Sequence, residues 1–514
     1  MKAGTLDRVV TGALLLGFFG LYLFTRSARP DPDALAFGRL ALMGPGTPGF
    51  FQAEHLLYPF WGWVAYQGAK LFGYAGPPDG PMAALNGLAG AVAAAAVYRL
   101  GRLVRPDRAG VGLGAALLTG LSYAHWLHST QAEDQMVANA LALAAVAAGL
   151  GGAPGLGVGG AAGLGVLSHG TAVLPAVVFG LWLLAGRRGR AAAPGYWAGL
   201  LGVTGIGLLL GAVLGAGVRS PAEGAAWLMD RPAAGIWGRL APADVPLGLK
   251  TAAGAFFWPA GQASFKGLLS EPLNPAGWLA AFTLVCLLGL AGVGLGAWWV
   301  GLKYRHPAGP LLAAWALAVG LFALGWAPED PQFWTLAVPP AALSIAHVLL
   351  PEARSRSGGP AWGAALAGLV VAVGAANYLL VFGPAANPAN NPDLARAQCL
   401  AGLLGPRDLV ITLGWDWADG YLPRLGHERV AGILDLYLRA ANRDPGRLRG
   451  LLAQEIRFTW DRGGRVYLVH WPELSARERE WLARTGSPGP EALRFEVRPR
   501  ARCGDETVFE VVGL

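Results

Sequence analysis

The stretch WGAALAGLVVAVGAANYLLVF, Trp362 to Phe382, runs for 21 residues without a charged side chain. As an α-helix rising about 1.5 Å per residue, it is about as long as the hydrocarbon core of a bilayer is thick, roughly 30 Å. Segments of the same kind recur upstream, bounded by charge, proline or glycine. They are Val9 to Phe24, Met82 to Tyr98, Val111 to Leu127, Val137 to Leu150, Gly155 to Leu167, Thr171 to Ala185, Tyr196 to Val218, Gly277 to Val300, Pro310 to Trp326 and Phe333 to Leu350. The pattern therefore predicts a polytopic α-helical membrane protein with about eleven transmembrane helices. Several segments are shorter than the roughly 20 residues a full span prefers. The pair either side of Ser168-His169-Gly170 reads as two short helices meeting at a turn; one kinked helix is the alternative and would invert every later loop.

Outward from these segments, composition agrees. Of 514 residues 54% are hydrophobic and 14% charged, against about 25% charged in soluble domains. Mean hydropathy is +0.42, more apolar surface than a soluble globule of this size can hide. The charge is uneven: Met1 to Gly383 holds 22 Lys and Arg with 15 Asp and Glu, while Pro384 to Leu514 holds 18 and 17. Two domains follow, a membrane body over 1–383 and a water-soluble part over 384–514, with Asn387 to Pro392 as linker. The net charge of +8 lies almost wholly in the membrane body, where loop orientation accounts for it. It gives no nucleic-acid signal.

An N-terminus in the cytoplasm puts 13 Lys and Arg on the inner side against Asp7, Asp107 and Glu352, and sends the other 12 acids of the membrane body outward. That sorting obeys the positive-inside rule and predicts an extracytoplasmic tail. The exit of the first span, Thr25-Arg26-Ser27-Ala28-Arg29, lacks the small neutral residues of a cleavage site, so the span is expected to be retained. Tyr58 to Gly73, with Trp61, Trp63, Tyr66 and Lys70, suits a helix lying at the interface. In the tail, strand-like runs at Asp408–Thr412, Arg465–Val469, Ala492–Arg498 and Thr507–Val512 alternate with helical runs at Arg447–Gln454 and Ala476–Arg484, predicting a small α/β domain. Cys399 and Cys503 both fall in that tail, where an oxidising compartment permits a bond or leaves two thiols.

The ionisable residues cluster where the predicted spans reach the outer face: Asp31, Asp33, Glu54 and His55 in the first outer loop, His125, His128, Glu133 and Asp134 around the third and fourth spans, His169 at the short turn, and Glu329 with Asp330 after the ninth. A carboxylate of Asp31-Pro32-Asp33 can act as a general base toward a hydroxyl; equally, an Asp here caps a helix through Ala34 to Leu42. Glu133 and Asp134 can be site acids or simply complement a helix dipole. His125 and His128, one helical turn apart, are either metal ligands or interfacial polar residues. His169 can donate to a phosphate or satisfy helix-end carbonyls.

The arrangement resembles the GT-C glycosyltransferases. A first span precedes an acidic motif in a long outer loop; an interfacial helix ends in Lys70-Leu71-Phe72-Gly73; a span runs into the basic Tyr98-Arg99-Leu100-Gly101-Arg102 loop; an acid follows the next span. Within that family it is similar to protein O-mannosyltransferases, the lipid A aminoarabinose transferase and their bacterial cousins. The resemblance implies sugar transfer from a polyprenyl-phosphate donor to a hydroxyl acceptor (protein, lipid or glycan) at the outer face of a bacterial inner membrane. It implies a first-loop base, Asp33 in preference to Asp31. It also implies substrate contacts at Glu54, His55 and Glu133 or Asp134, and a phosphate-facing turn at Ser168-His169-Gly170 with His in place of the family's Lys. The loop Pro328-Glu329-Asp330-Pro331-Gln332-Phe333-Trp334 resembles the one that closes over the donor. Arg231, Arg239, Lys250 and Lys266 are cations available to a leaving phosphate, or interfacial anchors with no catalytic role. A divalent metal is left open, because members differ on it. Two other readings stand beside the transferase: a transporter or flippase for a lipid-linked substrate, and a membrane-anchored envelope binding module.

Overall fold

The computed structural model describes residues 3–47, 49–186, 189–229, 242, 244–258, 309–350, 359–414, 416–437, 444–469, 474, 479, 482, 493 and 495–514. The chain divides into two compact units. One contains Met1–Ser27, Phe37–Leu228 and Gly238–Ala386; the other contains, among the described residues, Ala28–Ala36 and Asn387–Leu514.

Among the described residues of the first unit, six helices are long and apolar enough to cross a membrane: Gly4–Phe24, Asp79–Val104, Ala193–Gly215, Gly309–Trp326, Pro331–Leu349 and Ala361–Ala385. Four shorter apolar helices, Ala109–Leu121, Gln135–Leu150, Gly155–Ser168 and Gly170–Ala185, accompany them. The expected span Gly277 to Val300 lies outside the described residues. In chain order the first helices are α1 (Ala3–Phe24), α2 (Pro32–Met43), α3 (Tyr58–Leu71), α4 (Asp79–Val104), α5 (Ala109–Leu121), α6 (Tyr123–Ser129), α7 (Gln135–Leu150), α8 (Gly155–Ser168), α9 (Val173–Ala185) and α10 (Ala193–Leu210). The turn between α8 and α9 is a true break: His169 is extended, at φ −156° and ψ 129°.

Helix α4 packs on α1, α5 and α7, and its sequence explains why. Lipid tails are as apolar as leucine, so membrane helices associate through close backbone approach and interhelical hydrogen bonds. The buried Ala91, Ala93 and Ala94 supply small contacts. At Gly101 a Cβ would fall 2.4 Å from the Gly112 Cα of α5, so only glycine allows that crossing. Asn86, fully buried, donates from Nδ2 to Tyr58 Oη at 3.1 Å and Gln131 O at 2.8 Å, and also to Glu133 O. One amide thereby ties α3 and α4 to the segment that leads into α7.

The second unit carries a five-stranded sheet of order β2-β1-β3-β5-β4, built from β1 (Leu409–Thr412), β2 (Val430–Gly432), β3 (Val466–Leu468), β4 (Glu496–Cys503) and β5 (Glu506–Gly513). β1 is parallel to β2 and β3, whereas β5 is antiparallel to β3 and β4. Leu409 and Ile411 pack with Leu448, Leu452 and Ile456 of the helix Pro445–Asp461. Val410 instead meets Ala397 and Leu400 of the helix Pro392–Ala401, together with Trp417, Tyr421 and Leu35. Both faces of β1 are covered, which is the setting that favours a continuously apolar parallel strand.

Two tail expectations are corrected. The run expected at Ala492–Arg498 begins at Glu496 and continues to Cys503, because Pro499 and a register irregularity between Pro499 and Ala501 are tolerated on an edge strand. The helix at Arg447–Gln454 extends from Pro445 to Asp461 behind an Asp444 cap. The expected helix at Ala476–Arg484 lies largely outside the described residues. β4 and β5 are joined through Gly504 at φ +66°, a conformation that favours glycine in a two-residue hairpin turn.

Cys399 and Cys503 are bonded, with Cα atoms 5.6 Å apart and a separation of 104 positions in sequence. A closure of about 100 residues is worth up to about 4.7 kcal/mol in the chain-entropy model. Cys399→Ser in the full chain is therefore expected to destabilise the tail by about 2–4 kcal/mol, read as a lowered Tm that reductant reproduces in the parent. Identical unfolding with and without reductant would contradict it.

Candidate active site

Three separate elements deliver one cluster in the first unit. A 3-10 turn, Ala53–His55, carries His55; Asp134 immediately precedes α7; His169 occupies the break between α8 and α9. His55 Nδ1 lies 2.5 Å from Asp134 Oδ2, and His169 Nε2 lies 3.8 Å from Asp134 Oδ1. The two imidazole centroids are 5.1 Å apart. One ligand atom from each of the three residues falls within 4.8 Å of the others.

The surroundings fix these side chains. Leu57 N donates to Leu167 O at 2.8 Å and Trp61 Nε1 to Ser168 Oγ at 3.1 Å, joining the segment after His55 to the end of α8. Phe37 sets its ring edgewise on His55 with centroids 5.6 Å apart. Thr171 N donates to His169 Nδ1 at 3.2 Å, with Thr171 Oγ1 2.6 Å from the same nitrogen. Gln135 Nε2 sits 3.0 Å from His169 Nε2, and Gln332 Nε2 donates to Asp134 Oδ1 at 3.5 Å.

Burial sets the electrostatics: Asp134 is 1% exposed and His169 5%. Burial alone would raise the Asp134 carboxyl, but the imidazoles of His55 and His169, with the hydrogen bond from His55, outweigh it and hold it down at about 2. Burial pushes His169 down to about 4, against the pull of Asp134. At neutral pH the cluster thus presents a carboxylate and a neutral imidazole. Because the folded state resists protonating His169, stability is full above the ordinary histidine value of 6.5 and falls as pH drops toward 4. A loss of about 3 kcal/mol is the upper scale. Thermal unfolding between pH 7 and 4 should show a decline that His169→Gln flattens; the same slope in both proteins would contradict it.

Two imidazole nitrogens and one carboxylate oxygen form a donor set that suits zinc or another borderline divalent ion, and three protein ligands leave an open position. To ligate through Nε2, His169 would carry its ring proton on Nδ1 and donate it to Thr171 Oγ1, 2.6 Å away, in place of accepting from Thr171 N. The residues therefore fit a metal.

The other expected site residues are placed as follows. Glu54 adjoins His55 in the same turn. Glu133 is buried beside Asp134, its carbonyl accepting from Asn86. His125 Nε2 is bonded to Gly90 O at 3.0 Å, so this ring serves α4–α6 packing. Among the described residues, neither His125 nor His128 belongs to a metal-capable group. Asp330 accepts from Gln332 N at 2.9 Å and caps the turn Pro331–Ala337, while Glu329 is exposed. The late loop thus reaches the cluster through Gln332. In the second unit, Asp31 Oδ1 accepts from Ala34 N at 2.7 Å, the capping alternative read from the sequence. Asp33 stands exposed in the first turn of α2. Lys250 lies on the helix Asp244–Phe256, and Arg231, Arg239 and Lys266 lie outside the described residues. Sequence reading missed Gln135, Thr171 and Phe37 and named Gln332 only as part of the late loop; proximity in sequence to Asp134 and His169 was the signal for Gln135 and Thr171.

No protein-family model matches the sequence, and neither does any curated protein. Solved structures do match. ArnT from Cupriavidus metallidurans bound to undecaprenyl phosphate aligns over 100% of this chain and 99% of its own, at TM-score 0.57 and 16% identity. The archaeal oligosaccharyltransferase AglB from Archaeoglobus fulgidus, in complex with an inhibitory peptide and a dolichol-phosphate, aligns over 98% of this chain and 74% of its own, at TM-score 0.57 and 14% identity. An Archaeoglobus fulgidus oligosaccharyltransferase in complex with Zn and sulfate aligns over 82% and 62%, at TM-score 0.50 and 14% identity. ArnT and AglB are both GT-C fold glycosyltransferases, and the fold they share is the fold of this chain.

Proposed function

We infer that this chain is a membrane glycosyltransferase that moves a sugar from a polyprenyl-phosphate carrier to a hydroxyl acceptor at the extracytoplasmic face. The observation that carries the reading is the His55–Asp134–His169 cluster, its Asp134 and His169 buried, delivered by three elements to one place in a chain of GT-C fold. A transporter would be expected to set its ionisable groups near the middle of its helices; these three stand at helix ends. The Cys399–Cys503 bond supports an oxidising location for the tail.

In the proposed reaction the acceptor oxygen attacks the anomeric carbon, and the bond from that carbon to the phosphate oxygen breaks. Polyprenyl phosphate departs with the bonding pair, and the hydroxyl proton passes to Asp33 as general base. A phosphate leaving group needs little protonation; it needs positive charge. His55, Asp134 and His169 would hold a divalent ion, which when bound would supply such charge. A neutral His169 suits that ligand role better than the pairing of a phosphate.

The test is reconstitution of the purified chain in proteoliposomes with a labelled polyprenyl-phosphate sugar and hydroxyl acceptors. Expected is a new glycosidic bond with free polyprenyl phosphate in equal amount. Movement of labelled lipid between leaflets with no such bond would overturn the reading in favour of a flippase.

A further inference from the structure

The first unit has a concavity of about 620 Å³, lined by the apolar Leu23 and Phe24 at the end of α1 and Ala65 and Ala69 on α3, and by the polar Arg26 and Tyr74. It opens beside apolar side chains that face outward, Phe24 being 88% exposed, and Leu71 and Phe72 at the end of α3 86% and 93%. Arg26 follows directly on the apolar α1, where a guanidinium meets the headgroup layer of a bilayer. The Arg26 side chain is exposed and makes no hydrogen bond or ion pair among the described residues. Gly80, at the start of α4, keeps this end of the groove open: a Cβ there would fall 3.1 Å from Arg26 Nη1 and 2.3 Å from Tyr74 Oη. The Tyr74 hydroxyl donates to Pro77 O at 3.0 Å, which holds the phenol at the rim. The neighbouring acid is Asp79, whose field reaches Tyr74 together with that of Arg26.

We propose that this groove binds an anionic membrane phospholipid, its phosphate on Arg26 and its acyl chain along the apolar walls of α1 and α3. The paired features decide the occupant. A soluble anion would leave the apolar walls without a partner, and an uncharged lipid would leave the arginine without one. The occupant also has a structural consequence. α3 begins at Tyr58, three residues after His55, and is anchored at that end by the Asn86–Tyr58 hydrogen bond of 3.1 Å. The lipid seats its other end, where Ala65 and Ala69 lie. The groove and its test require a membrane protein and do not depend on sugar transfer.

The experiment is native mass spectrometry of the full chain released from vesicles of phosphatidylglycerol and phosphatidylcholine mixed equally, with polyprenyl phosphate added as a trace competitor. Wild type is expected to retain phosphatidylglycerol selectively. Arg26→Gln is expected to lower that retention about fivefold, the scale of one cation at a charged membrane surface, and Arg26→Lys to restore it. Ala69→Trp, at a partly exposed position, is expected to fill the groove and abolish retention. Equal retention by wild type and Arg26→Gln overturns the proposal, as does equal uptake of phosphatidylcholine. Loss of polyprenyl phosphate in place of phosphatidylglycerol overturns it too, because the groove then belongs to the carrier.

Discussion

Asp33→Asn is expected to lower sugar transfer by about 10²- to 10⁴-fold, the range that a positioned base contributes, with the donor still bound and the chain still folded. Asparagine keeps the shape of the side chain and removes its capacity to take a proton. Asp31→Asn is the matched comparison. Asp31 Oδ1 accepts from Ala34 N at 2.7 Å, and asparagine is as good an N-cap as aspartate, so this change should cost little in either stability or rate. Single-turnover transfer from a labelled donor separates the two, because it reads the chemical step apart from product release. Full activity in Asp33→Asn would remove the base assignment; loss confined to Asp31→Asn would move it two residues upstream.

Asp134→Asn carries the second large effect. The carboxylate is 1% exposed and faces two imidazoles, so Asp134→Asn removes the negative charge of the cluster. The loss of a hydrogen bond to a buried charged group costs about 1.5–3 kcal/mol. Metal affinity should fall by at least about 100-fold, the upper scale for perturbing a ligand's supporting shell alone. Zinc provides a readout that a merely structural role would not move. At a free concentration about 100 times its Kd, it should stabilise wild type by about 2.7 kcal/mol and Asp134→Asn hardly at all. Equal stabilisation of both proteins, or of neither, would contradict the ligand assignment.

The membrane class was legible in the sequence because it rests on quantities that sequence states directly: run length, hydropathy and the sorting of charge. The apolar runs over α1, α4 and Gly309–Trp326 needed no tertiary information. Elements of the tail were harder. β2 is three residues long, Val430–Gly432, too short for an alternating pattern to register. In β4 the run Arg498-Pro499-Arg500-Ala501-Arg502 looks unlike a strand until its edge position is known.

The site was legible as a set of types and illegible as a place. His55, Asp134 and His169 each stood out as ionisable residues at the ends of apolar runs. Nothing in their spacing says that His55 Nδ1 and Asp134 Oδ2 meet at 2.5 Å, because that contact depends on how α3, α4 and α7 pack around Asn86. Gln135 and Gln332 carry no charge and no periodicity, so their place beside His169 and Asp134 emerges only from coordinates. Asp31 shows the reverse case: the plain capping role foreseen for it is the role its Oδ1 performs.

An experimental structure with a polyprenyl-phosphate sugar bound tests the account most directly. The expected result is an anomeric carbon beside the Asp33 carboxylate, with the acceptor oxygen within hydrogen-bond reach of that group. A sugar held where no carboxylate of the first outer loop can reach the attacking hydroxyl would contradict it.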